Sequence, residues 1–236
     1  MAKKKNRKRI IQTVARKLVT SVNARSIVTE QFRTLRTNIN FSMPDKELKT
    51  LIFTSASPGE GKSTVAANSA VVFAQEGKRV LLVDADMRKP TVHYTYHVTN
   101  TIGLSNLLTR QAILEDVLKD TEIENLQLIT CGPIPPNPAE LIGSQTMERM
   151  MVEMKEKFDV IIFDAPPVLS VADAQILSNK CDGTILVMSS GETEKTELLK
   201  AKEALVSSNA NIIGVVLNNF ELSKDHHYYQ YYGNAE

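Results

Sequence analysis

A chain of 236 residues with 42% hydrophobic and 23% charged positions fits one large α/β domain or two small ones, with the composition of an ordinary globular protein. It contains no apolar run near the ~18–20 residues that cross a bilayer, and no secretory signal follows its basic start. Cys131 and Cys181 stand far apart without metal spacing, as expected of reduced thiols in a cytoplasmic protein.

The net charge of +1 hides an asymmetry: nine of the 28 Lys and Arg but none of the 27 acidic residues lie in the first 29 positions, leaving −8 on the rest. Residues 1–25 therefore read as a basic leader that docks on an anionic surface or an acidic partner. Its Ile11, Val14, Leu18 and Val22 have the spacing of a short amphipathic helix. The next segment, VTEQFRTLRTNI, is also helical and carries Glu30, Arg33 and Arg36 at three-residue intervals, on adjacent parts of one face.

From residue 48 the chain alternates apolar runs with helical patterns. The runs are LKTLIFTS (48–55), RVLLVDAD (79–86), LQLITCG (126–132), DVIIFDAP (159–166), GTILVMSS (183–190) and NIIGVVLNNF (211–220). Several are nearly continuous in Val, Ile and Leu, as in strands covered on both faces. Helical periodicity fills 62–76, 138–157 and 193–208, with Gly77 as a stop after the first. The expected fold is α/β, a mostly parallel central sheet flanked by helices and joined by right-handed crossovers. Residues 26–220 form that domain, and 221–236 form a flexible tail.

The strongest local signal is TSASPGEGKST, placed between a strand and a helix as a phosphate-binding loop requires. The nucleotide-binding set is Ser57, Pro58, Gly59, Glu60, Gly61, Lys62, Ser63 and Thr64. Backbone N–H groups from Gly59 to Lys62 converge on the β-phosphate at the positive end of the helix, and the two glycines permit close approach. Lys62 neutralises β/γ charge, and the Ser63 hydroxyl ligates Mg²⁺ beside ATP. Ala56 stands where this motif usually has its first glycine. The fold class is thus that of the P-loop NTPases. Asp164 ends VIIFDAPP, where such enzymes keep a metal-side carboxylate, and Asp84 and Asp86 end RVLLVDADMRKP at the ligand-collecting edge of the sheet. Of these, one carboxylate takes a proton from an attacking hydroxyl and the others organise the metal and its waters. The assignment is Asp84 as base, with Lys62 stabilising charge and Ser63, Asp86 and Asp164 on the metal side. Arg88 and Lys89 are expected on phosphate or on a neighbouring subunit, and Asn218, after the last strand, on adenine.

SASPGEGKST, VLLVDADMRKP, GPIPPNPAELI and FDVIIFDAPPV, in that order, resemble the bacterial tyrosine kinases of capsular and exopolysaccharide assembly, over about residues 26–236. The resemblance implies an ATP- and Mg²⁺-dependent tyrosine autokinase whose Glu30, Arg33 and Arg36 join subunits into a ring. It implies transfer in trans to a C-terminal tyrosine cluster. Four of the six tyrosines, Tyr228, Tyr229, Tyr231 and Tyr232, fall in the last nine residues. It further implies a separate transmembrane modulator that recruits a cytoplasmic kinase to the inner face of the membrane, protein-tyrosine substrates, and a tyrosine phosphatase. The main rival is a partition- or cell-division-type ATPase acting as a positioning switch. Those proteins carry a lysine where this chain has Ser57, which favours the kinase. The acidic body and the lack of interleaved aromatic and basic residues argue against a nucleic-acid partner.

Overall fold

The computed structural model describes residues 16–44 and 47–221. The four tail tyrosines, with Ile11 and Val14 of the leader, lie outside the described residues.

All six apolar runs are strands: β1 (Thr50–Ser55), β2 (Val80–Asp84), β4 (Leu126–Ile129), β5 (Val160–Asp164), β6 (Gly183–Ser189) and β7 (Ile212–Asn218). The short strand β3 (Leu118–Asp120) completes a seven-stranded sheet of order β3-β4-β2-β5-β1-β6-β7. Only β3 runs antiparallel, against β4. It has no apolar run because it is a three-residue edge strand without a fully buried residue. β1, β2 and β5 are buried at every position, which is why they read as unbroken Val/Ile/Leu runs.

Two apolar layers cover the sheet. On one face Ile52, Leu81, Val83, Ile161 and Phe163 pack with Leu104, Met147, Met151 and Leu177. On the other, Leu51, Phe53, Leu82 and Ile162 pack against helix α3 (Lys62–Ala74). Helix α3 is buried nearly all round, since α1 (Val19–Val22) and α2 (Ile27–Phe41) close over its outer side. Its Ala and Ser residues suit that close double contact.

Two boundaries differ from the periodicity. The pattern over 138–157 is two helices, and Ser144 ends the first and caps the second by accepting the N–H of Met147. Residues 16–20, grouped with the leader on charge, lie on the body: Thr20 is fully buried and hydrogen-bonded to Asn68 of α3, whereas Val22 is 82% exposed.

For the remaining helices, α4 is Val92–Thr95, α5 Leu104–Leu108, α6 Leu114–Val117, α7 Pro138–Gly143, α8 Gln145–Lys157, α9 Asp173–Lys180 and α10 Lys195–Ser207. Among the described residues no helix is long and apolar enough to cross a membrane.

Candidate active site

The phosphate loop turns from β1 into α3 with Gly59 at φ 93° and Gly61 at φ 90°, both in the left-handed region that glycine adopts without strain. A Cβ on Gly61 would stand 1.9 Å from the side-chain nitrogen of Asn218, so a larger residue here would also displace the Asn218 side chain. Ala56 avoids positive φ and its methyl enters the apolar layer, which explains why the usual glycine is dispensable there.

Side chains behind the loop hold its shape. Glu60 is buried, accepts the Ser57 N–H at 2.9 Å through one oxygen, and accepts the Thr193 hydroxyl through the other. The Ser57 hydroxyl donates to Glu197 of α10 at 3.3 Å. Asn218 donates to the Glu60 carbonyl at 3.1 Å, and both Asn218 and Asn219 line the cleft above the loop. The sequence motif credits Glu60 with a backbone N–H alone; besides the local Ser57, its partners Thr193 and Asn218 stand 133 and 158 positions away, which no local motif announces.

At the mouth of the loop three segments bring their charges together. Lys62 Nζ lies 3.0 Å from Asp86 Oδ2 and 3.1 Å from Asp164 Oδ1. Parallel pairing of β2 with β5 sets Asp84 directly beside Asp164. Asp86 accepts the N–H groups of Arg88 and Lys89 with its other oxygen, which curls the chain back after β2. Burial works against the Lys62 ammonium, yet Asp164 and Asp86 hold its pKa above the ordinary lysine value. Asp84 moves the other way from the usual paired carboxylate. Burial, followed by the neighbouring Asp164, raises its pKa well above the aspartate range, although Val92 N–H and Lys62 oppose this. Asp84 is closed to solvent; its Oδ2 accepts the N–H groups of Thr91 and Val92, both at 3.0 Å. It therefore lies deeper than a residue at the cleft surface, where Asp86 stands.

The donor set fits a divalent cation. Among the described residues Asp84 Oδ1 and Asp164 Oδ2 are buried oxygens with no hydrogen-bond partner, and Ser63 Oγ accepts from Lys62 Nζ at 3.3 Å. Among the described residues no three His, Cys, Asp or Glu side chains form a complete metal cage. An ion here would take most of its ligands from phosphate and water, which is how Mg²⁺ is commonly held. Cys131, behind the site, is pushed up to about 12 by burial and by Asp84 and Asp86, so it supplies no thiolate at neutral pH.

A cleft of about 580 Å³ opens over this cluster, lined by the phosphate loop, Asp86, Lys89, Thr91, the Pro166–Pro167 turn and Asn218. Arg16 lines it too, a residue that charge patterning had grouped with the leader. Arg88 is engaged within the chain, bidentate on the fully buried Asp173 at 2.9 and 3.0 Å. On α2, Glu30 and Arg33 pair with each other on an exposed face. Arg36 donates to the Val72 carbonyl at 2.7 Å, tying α2 to the end of α3.

These features can bind a nucleoside triphosphate and polarise its terminal phosphate, and similarity to known proteins decides among the enzymes that do so. The AAA domain family model matches residues 48–193. Tyrosine-protein kinase YwqD of Bacillus subtilis (strain 168) is 48% identical over 236 residues, covering 100% of this chain and 98% of its own. The chain belongs to the bacterial tyrosine-protein kinase family. Solved structures of similar proteins agree with that membership. The chimerical protein CapA2B2 superposes with a TM-score of 0.84 at 41% identity, over 88% of this chain and 93% of its own. The kinase domain of Escherichia coli tyrosine kinase ETK superposes at 0.83 with 32% identity, over 86% and 79%. Membership in this kinase family replaces the positioning-switch alternative.

Proposed function

We propose that this member of the bacterial tyrosine-protein kinase family is an ATP-dependent autokinase that phosphorylates Tyr228, Tyr229, Tyr231 and Tyr232 of a neighbouring copy. The observation that carries the reading is Lys62 held between Asp86 and Asp164, one ammonium among three buried carboxylates at a phosphate loop. In this proposal the N–H groups of residues 59–62 bind the β-phosphate, and Lys62 exchanges its carboxylates for β/γ oxygens. Mg²⁺, when bound, neutralises developing charge on the transferred group; Ser63, Asp86 and Asp164 are the residues that would hold it or its waters.

A tyrosine hydroxyl attacks the γ-phosphorus; the bond to the β–γ bridging oxygen breaks, ADP leaves, and the hydroxyl proton passes to a carboxylate. Asp84 is the assigned acceptor, because its Oδ1 is unpartnered and its burial beside Asp164 raises its affinity for a proton. It is enclosed here, so the 85–91 loop has to shift to expose it. Asp86, at the cleft surface, is the second reading, favoured by its access alone. Asp84→Asn and Asp86→Asn separate the two: the base variant loses transfer while keeping nucleotide affinity.

Ring assembly through Glu30, Arg33 and Arg36 belongs to the same proposal, with Glu30 and Arg33 exposed for contact. So do an adenine contact from Asn218, recruitment by a transmembrane modulator, reversal by a tyrosine phosphatase, and control of capsule or exopolysaccharide synthesis. Peptide mass spectrometry after incubation with ATP and Mg²⁺, with and without modulator, tests the core of it. Phosphate on Tyr228 to Tyr232 in the wild type and none in Lys62→Ala is expected. ATP turnover with an unmodified tail would sink the autokinase reading. Mixing Lys62→Ala chains with chains truncated before His226 tests transfer in trans, which requires label on the Lys62→Ala tail.

A further inference from the structure

Four cations line the cleft: Arg16, Lys62, Arg88 and Lys89. Two are already matched by acids, since Lys62 lies between Asp86 and Asp164 and Arg88 is bidentate on Asp173. Arg16 and Lys89 have no carboxylate partner among the described residues. Lys89 sits on the loop after β2, where a cation near the site is unsurprising. Arg16 comes from the N-terminal segment, and its place in the cleft needs an explanation.

Asn68 makes most of the hydrogen bonds that hold the segment there. Asn68, fully buried in the second turn of α3, has all its side-chain hydrogen bonds filled. Its amide nitrogen donates to the carbonyls of Lys17 and Thr64, both at 2.9 Å. Its oxygen accepts the Thr20 N–H at 3.1 Å and the Thr20 hydroxyl at 2.9 Å. Gln75 holds the Thr20 carbonyl at 3.1 Å, and Leu18 packs on the apolar layer over α3. The Arg16 N–H donates to Thr95 Oγ1 at 3.0 Å. Residues 16–20 are thus fastened at several points to the helix whose N-terminus carries the phosphate loop. That fastening leaves the side chain of Arg16 against the cleft.

We propose that Arg16 is a nucleotide-binding residue, brought to the cleft by Asn68 so that its guanidinium meets the phosphates of bound ATP. The charge balance explains the need. Three carboxylates crowd one ammonium at this site, so a polyphosphate meets repulsion that Lys62 by itself does not offset. A guanidinium presents several donors in a planar fork suited to phosphate oxygens. The basic leader then divides at this point. In that division Arg16 serves the nucleotide. The inference rests on the nucleotide-binding part of the proposed function and needs nothing of the transfer to tyrosine.

Equilibrium titration with a fluorescent ATP analogue and Mg²⁺, well below the melting temperature, tests it. The chains compared are wild type, Arg16→Ala, Arg16→Lys and a chain lacking residues 1–15. Deleting 1–15 is expected to leave Kd unchanged. Arg16→Ala should raise it about tenfold, the worth of one charge-assisted hydrogen bond, and Arg16→Lys should fall between. The Arg16→Ala penalty should shrink in high salt. Equal affinity for wild type and Arg16→Ala overturns the inference, as does a loss on deleting 1–15 that matches Arg16→Ala. Arg16→Gln, which keeps the stem and the backbone contact to Thr95, replaces Arg16→Ala if the latter melts early. A wild type that binds no nucleotide defeats this inference and the proposed function together, whereas tight binding indifferent to Arg16 defeats this inference only.

Discussion

The two ends of the same strands handle charge in opposite ways. At the carboxyl ends of β2 and β5, Asp86 and Asp164 share one ammonium next to Asp84, and among the described residues Asp84 Oδ1 and Asp164 Oδ2 have no hydrogen-bond partner. At the amino ends of β5 and β6, Asp159 and Asp182 each have their own donors. Asp182 accepts the N–H groups of Lys49 and Thr50 and the Thr50 hydroxyl, with Lys155 at 3.4 Å. Asp159 takes the Arg79 guanidinium on both oxygens and its backbone N–H as well. The pKa directions follow. Burial raises Asp84 well above its ordinary range. The Arg79 side chain lowers Asp159 to about 2. Asp182 is lowered despite its burial because Thr50 and Lys155 outweigh it. Satisfied acids staple the sheet; the unsatisfied ones stand at the candidate site, at the expense of stability.

The largest test of this contrast is Lys62→Met. It leaves buried carboxylates uncompensated, and should cost about 3 kcal/mol of stability together with at least a hundredfold of transfer, roughly the scale of losing one charge-stabilising donor. Chemical denaturation and the rate of tail labelling would measure the two losses. If both stayed near wild type, the cluster would not be the strained centre described. Next comes Asp182→Ala, expected to cost about 2 kcal/mol through three lost hydrogen bonds while nucleotide affinity stays put. A changed affinity would show that the two ends of the sheet are not independent.

Asp84→Asn sharpens the contrast from the other side. Removing a buried charge that its neighbours oppose should stabilise the nucleotide-free protein by about 1 kcal/mol, a rise of a few degrees in melting, and abolish transfer. A destabilised variant would mean that its hydrogen bonds to Thr91 and Val92 outweigh its charge. The smallest effect belongs to Asp159→Asn, since its partner Arg79 is exposed and screened. A carboxylate with a depressed folded pKa contributes stability above its unfolded pKa, near 4, and loses it as pH falls through the folded value of about 2. Wild type and Asp159→Asn should therefore differ at neutral pH and converge between about pH 4 and 2. A gap that widened in acid would contradict the pairing.

Much of the fold was legible because a parallel strand buried on both faces must be apolar throughout, so β1, β2 and β5 announced themselves. β3 did not, being three residues on an edge. The cap at Ser144 was hidden inside a periodicity that two successive helices happened to share. The site was legible in the same uneven way. Gly59, Gly61, Lys62 and Ser63 form one contiguous motif, and Asp84, Asp86 and Asp164 end recognisable strands. Glu60 as a brace and Arg16 as a cleft residue had no such signal. Arg88, expected on phosphate or on a neighbouring subunit, pairs with Asp173, a contact that nothing in the local sequence signals.

The sequence by itself determined the sheet's interior, the phosphate loop and the residue types around it, because hydrophobic period and backbone freedom are local properties. Tertiary structure decided which acids share Lys62, which arginines already have partners, and that residues 16–20 belong to the body. Those outcomes depend on crossovers that set Asp84 beside Asp164 and lay Thr20 on Asn68. Electrostatic energy depends on distance in space, and separation along the chain does not report it.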